Sequence, residues 1–167
     1  MTIKVLSLIA LLSASFASVA AETFALPVAA IATSPKQKGD FENYVGKAAT
    51  FELTFVTPEQ KKPTDTFAEP PFYIRNFATG QTCQGGEKGG IWKQGAIFRT
   101  LDDKVLILGA YSGSSSAWEF YDTKTCKQID WVESLAENDP IVVSKRKIIF
   151  KNGLPAGLIK YLSATKH

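Results

Sequence analysis

The sequence predicts an all-β chain, a single antiparallel β-sandwich or strongly bent sheet of about 8–10 strands with little helix. Three observations carry that expectation. Short runs of alternating apolar and polar residues recur along the chain, each closed by Gly, Pro, Asn or Asp. The stretch Trp118–Ile129, WEFYDTKTCKQI, reads as two strands joined by a tight polar turn. The two cysteines, Cys83 and Cys126, stand in a chain whose start looks like an export signal, where cysteines pair.

The signal is read over residues 1–21. Lys4 supplies a basic start, Val5 to Leu12 an apolar run, and Ser18-Val19-Ala20 or Val19-Ala20-Ala21 a small-residue cleavage site. The apolar run is too short for a membrane-spanning helix, and no later segment is long and apolar enough to be one. A mature chain starting near Ala21 or Glu22 is one domain's worth of residues and long enough to bury a core. Periplasmic or secreted localisation follows. The net charge of +3 is too small to point to nucleic acid, which needs clustered Lys and Arg.

Residues 22–45 read as an N-terminal arm before a β domain over 46–167. Within it Phe24 to Ile31 can pair as an edge strand, and Asp40 to Gly46 fits one helical turn capped by Asp40. Ala49 to Val56 alternates with Phe51, Leu53 and Phe55 on one face, a half-buried strand ended by Pro58. Residues 58–71 are polar and proline-rich with a lone Phe67, a long surface loop. Phe72 to Phe77 and Thr82-Cys83-Gln84 form strands around the Ala78–Gln81 turn. Gly85 to Gly90 is a flexible connector; it lacks the Gly-Lys-Ser/Thr ending of a phosphate loop.

Ile91 to Leu101 contains the next strand, and Asp102-Asp103 turns it into Lys104 to Tyr111. There Val105-Leu106-Ile107-Leu108 is continuously apolar, which predicts a central strand covered on both faces. Ser112 to Ser116 turns the chain into the Trp118 hairpin. Trp131 to Asn138 fits a short helix or the end of a strand. Ile141 to Phe150 is a strand, with Lys145-Arg146-Lys147 on a solvated face or edge. Asn152-Gly153 signals a hairpin, and Leu154 to Leu162 is its return, placed on an edge by Pro155.

Sliding the chain by 43 residues lays Phe77, Thr82 and Cys83 on Phe120, Thr125 and Cys126. That spacing is near a propeller blade's roughly 40–45 residues, and the FYDTKTC hairpin resembles a propeller-blade strand pair over under a fifth of the chain. Two blades close no ring, and a bridge needs α-carbons within about 7 Å. A Cys83–Cys126 disulfide therefore favours a compact sandwich or bent sheet.

Catalytic chemistry finds little support. The single histidine, His167, is the last residue, so a triad, a zinc cluster and a cysteine–histidine pair all lack their imidazole. No metal site or cofactor is expected. Glu119, Asp122, Asp130 and Glu133 cluster in sequence; Asp122 fits the hairpin turn, and Glu119 with Asp130 is the carboxylate pair to weigh for hydrolysis. Aromatics beside small-residue loops suggest recognition instead. Trp92, Tyr111, Ser112, Ser114, Ser115, Ser116 and Trp118 form the candidate binding surface. The expected function is a non-catalytic exported protein engaging another envelope or secreted protein, in the manner of an inhibitor or immunity protein. The alternatives are a small-ligand or cell-wall glycan binder using exposed tryptophans, and a carboxylate-based hydrolase.

Overall fold

Alternating side chains build two antiparallel sheets in the computed structural model, which describes residues 23–68, 71–86, 90–113, 115–134, 141–144 and 146–164. The expected signal, residues 1–21, lies outside the described residues. The strands begin with β1 (Phe24–Ala30), β2 (Thr33–Pro35), β3 (Asn43–Lys47) and β4 (Phe51–Val56). Next come β5 (Thr66–Ala68), β6 (Phe72–Asn76), β7 (Thr82–Gly85) and β8 (Ile91–Thr100). After β9 (Val105–Ser112), β10 (Ser115–Asp122) and β11 (Gln128–Ser134) follow β12 (Ile141–Val143), β13 (Lys147–Phe150) and the helix α1 (Ala156–Ala164).

The smaller sheet runs β2-β3-β4-β6-β7. The larger, curled into a half-barrel, runs β11-β10-β9-β8-β1-β13-β12, with β5 also paired to β8. One core lies between the sheets, built from Phe51, Leu53, Phe55, Phe67, Phe72, Trp92, Leu106 and Leu108 among others. A second fills the opposite face of the large sheet, where Val105, Ile107, Phe120, Ile148 and Phe150 meet Leu158 of α1. Strand β9 serves both, and its four residues Val105 to Leu108 are all fully buried. The unbroken apolar run is the sequence form of a strand with two covered faces.

Several elements differ from expectation, each for a local reason. Strand β1 is interior, between β8 and β13, because Leu26 and Val28 both point into the second core. Its Pro27 is tolerated because the Val28 amide points to the β13 side, at the Arg146 carbonyl, which leaves the proline nitrogen on the β8 side, where pairing starts only at Val28. Asp40 caps no helix. Its carboxylate accepts from the amides of Glu42 (2.9 Å) and Asn43 (3.2 Å), a turn that delivers the chain into β3. Within residues 58–71, Phe67 stacks on Phe55 with centroids 4.4 Å apart, so the segment contributes the short strand β5. Residues 141–150 break into β12 and β13, paired antiparallel with each other.

The C-terminal segment is helical. Pro155 cannot donate inside a ladder but suits a helix start, and its carbonyl accepts the Ile159 amide at 2.9 Å. Leu154, Leu158, Tyr161 and Leu162 recur at helical spacing and all pack on the second core. Asp130 of β11 accepts the Gly157 amide at 2.8 Å, so a carboxylate caps the first turn from another element. We expect Asp130→Ala to cost about 0.5–2 kcal/mol, read as a fall in melting temperature with loss of helical circular dichroism.

Strands β3-β4-β6-β7, interrupted in sequence by β5, and the meander β8-β9-β10-β11 are two four-strand antiparallel runs whose last turns match bond for bond. Asn76 accepts from the amides of Ala78 (3.0 Å) and Thr79 (3.1 Å); Asp122 accepts from Lys124 (2.8 Å) and Thr125 (2.7 Å). Gly80 (φ 68°) and Cys126 (φ 57°) both adopt the left-handed conformation. The equivalent pair is thus Asn76 and Asp122, a shift of 46 (122 minus 76). Cys126 corresponds to Gly80, and the 43-residue superposition of the cysteines is not the structural one.

The cysteines are nevertheless joined: Cys83–Cys126, with α-carbons 5.7 Å apart, ties the edge strand β7 of the small sheet to the β10–β11 turn of the large one. In that turn burial alone would raise the Asp122 carboxyl. Hydrogen bonds from Tyr161 and from the Thr125 and Lys124 amides outweigh it and hold the pKa below its ordinary 3.8. A carboxyl lowered by folding contributes stability that is present above its unfolded value and lost as pH falls through the folded one. The melting temperature should therefore drop on acidification below about pH 4, and Asp122→Asn should flatten that drop.

Candidate functional site

The candidate site forms where the large sheet extends past the cover of the small one. Its register places Ala117 opposite Glu133, Glu119 opposite Trp131 and Tyr121 opposite Gln128, so these six side chains share one face of β10 and β11. Toward the Tyr121 end that face is core. Toward Glu133 it opens into a groove of about 430 Å3 lined by Gly90, Ala110, Tyr111, Ser115, Ser116, Ala117, Glu119, Gln128, Trp131 and Glu133. A second hollow of about 350 Å3, lined by Gln84, Gly85, Gly86, Tyr121, Thr125, Cys126 and Lys127, shares Gln128 with the first. Together they trace one furrow from the disulfide to the serine turn.

Glu119 is the anchored group of the furrow. Its Oε2 accepts from Trp92 Nε1–H and from the Tyr121 hydroxyl, both at 2.9 Å. Burial first, and then the neighbouring Glu119 charge, push the Tyr121 hydroxyl far above its ordinary value of 10, so it stays a donor. Around this fixed carboxylate the floor is small (Gly90, Ala110, Ala117) and Trp131 supplies an aromatic wall, with Tyr111 also bordering the groove. Trp131 is 53% exposed. On the opposite face of β8 and β9 the Lys93 ammonium lies 4.8 Å above the Tyr111 ring.

Of the residues expected to form the binding surface, Tyr111, Ser115 and Ser116 line the groove. Ser116 is further tied down, its hydroxyl donating to the Ser134 carbonyl at 2.6 Å. Trp92 is fully buried and acts from beneath, through its bond to Glu119. Trp118 points to the other face, into the second core, with its ring 6.2 Å from that of Phe98. Ser112 ends β9, and Ser114 lies outside the described residues. Trp131, one of the aromatics that suggest recognition, lines the groove without being placed on the expected surface, and Gln128 and Glu133 join it unexpected. The signal for them was there: once Phe120 and Tyr121 flank the hairpin, register carries Glu119 onto Trp131.

The carboxylate pair does not assemble. Glu119 faces the groove, while Asp130 pairs with Phe120 on the opposite face and is committed to Gly157 of α1. Among the described residues no group of three or more His, Cys, Asp or Glu could hold a metal ion, and no helix is long and apolar enough to cross a membrane.

Comparison with known proteins adds two findings. The family model described as "Immune protein Tsi1" matches residues 23–157. A protein of Pseudomonas aeruginosa strain PAO1, itself named "Immune protein Tsi1", is 38% identical over 72 residues, an alignment covering 43% of this chain. The same alignment spans 41% of that relative's length.

Proposed function

Because the chain belongs to the Tsi1 immune-protein family, we propose that it is a non-catalytic immunity protein that binds and inhibits another protein. The observation that carries this reading is the family match across both sheets, from residue 23 to residue 157. Three features support it. The furrow is concave, aromatic-walled and floored by small residues, the usual anatomy of a recognition patch. The disulfide fits an oxidising compartment, in line with the signal read at residues 1–21 and with a periplasmic or secreted site of action. The two carboxylates weighed for hydrolysis stand on opposite faces of the sheet. The partner is an envelope or secreted protein, met through Tyr111, Ser112, Ser114, Ser115 and Ser116 together with Trp131. The glycan alternative keeps less support, because of the three tryptophans only Trp131 is exposed in the groove, while Trp92 is buried and Trp118 is turned inward.

The test is binding to the secreted protein encoded beside this one, measured by calorimetry and by inhibition of that protein's activity. A saturable complex with Kd of about 1 μM or tighter, and matching inhibition, is the expected result. No complex and no inhibition would remove the reading.

A further inference from the structure

We infer that the groove beside Glu119 receives a single arginine side chain of the bound protein, an inference that rests on the immunity reading. The starting point is electrostatic. Glu119 and Glu133 form no ion pair with Lys or Arg among the described residues. Antiparallel geometry makes them diagonal neighbours, about 7–8 Å apart at the backbone, with Trp131 between them on β11. Both donors to Glu119 are neutral and converge on Oε2, which fixes the carboxylate and leaves Oε1 engaged by neither of them.

Any partner that covers the groove strips water from both carboxylates. An apolar or anionic side chain would leave that desolvation unanswered, and a cation answers it. Between the two cations, arginine fits better. Its planar guanidinium offers several donors in a fixed fork, able to bridge two separated carboxylates, and stacks on an indole or phenol face. Lysine offers a compact, strongly hydrated charge that loses more water on entry. The small floor leaves the depth such a side chain needs, and the exposed Trp131 beside Glu119 offers an indole face for it. The chain's net charge of +3 adds nothing to long-range attraction of a basic partner. The contribution is made at contact and should appear in the dissociation rate.

The experiment has two arms. In the first, 15N-labelled protein is titrated with N-acetyl-argininamide and, in parallel, with the uncharged citrulline analogue. Saturable amide shifts at Ala117, Glu119, Trp131 and Glu133 with the arginine compound alone are expected. Equal shifts with citrulline, or none with either, overturn the inference. In the second arm the double variant Glu119→Gln with Glu133→Gln is tested against the partner protein. Glutamine at 119 still accepts from Trp92 and Tyr121, so the fold is kept. Affinity should fall roughly 10- to 100-fold, mainly through faster dissociation, and Trp131→Ala, at an exposed position, should weaken binding in the same direction. Unchanged affinity of the double variant, with wild type bound, overturns the arginine inference and leaves the immunity reading standing. If wild type binds no partner, the immunity reading falls and the titration alone decides whether the groove takes arginine.

Discussion

Removing the Cys83–Cys126 bridge is expected to lower unfolding free energy by roughly 3–4 kcal/mol, a fall in melting temperature on the order of 10 °C for a domain of this size. The bridge spans a sequence separation of 43 residues and joins the two sheets. Without it, β7 is held only by β6, at the outer edge of the small sheet. The choice of replacement matters. Cys126 has φ of 57° and occupies the place that Gly80 fills in the sister turn. Alanine there adds left-handed strain of about 1–2 kcal/mol, which glycine avoids. The Cys83→Ala, Cys126→Gly variant should therefore melt above Cys83→Ala, Cys126→Ala. Equal melting temperatures would mean that the turn relaxes once the bridge is gone.

Asp103→Ala is expected to cost about 3–5 kcal/mol. Asp103 is 3% exposed and sits in the β8–β9 turn with φ of 59°. One carboxylate oxygen accepts from the Thr50 amide (2.9 Å) and hydroxyl (3.0 Å), reaching across to the β3–β4 turn of the other sheet. The other oxygen is paired with Arg99. Its carbonyl takes the Thr123 hydroxyl at 2.6 Å, which holds the start of the β10–β11 turn. Truncation strands the Arg99 guanidinium and the part-buried Thr50 amide together and adds backbone strain. Asparagine keeps an acceptor for Thr50 and tolerates the left-handed backbone, so Asp103→Asn should lose clearly less. Denaturant titration of the two variants separates the cases; equal losses would show that the Arg99 pair, and not the contact to Thr50, dominates.

Strand periodicity was legible wherever a segment carried its own pattern. Phe51, Leu53 and Phe55 alternate and are buried in turn, and the Val105–Leu108 run announced a strand with two covered faces. Cysteine pairing was legible from compartment chemistry. What escaped were positions whose role is set by a distant partner. Phe67 becomes part of a strand only because Phe55 stacks on it. The C-terminal helix was hidden by the Asn152-Gly153 hairpin signal, since its first turn draws a carboxylate from β11 rather than from the local sequence. Among the site residues, Tyr111, Ser115 and Ser116 stood out beside a serine turn, whereas Trp92 has the same composition cues and lies in the core. Exposure of a tryptophan depends on which sheet face is covered, and local sequence does not carry that.

Hydrogen exchange with and without the neighbouring secreted protein measures the immunity reading most directly. Amides in residues 110–111, 115–117 and 128–133, the segments that line the groove, should gain protection on complex formation, with little change in β12 and β13 on the far side of the large sheet. Protection confined to β12 and β13, or none anywhere at saturating partner, would contradict both the surface and the role proposed for it.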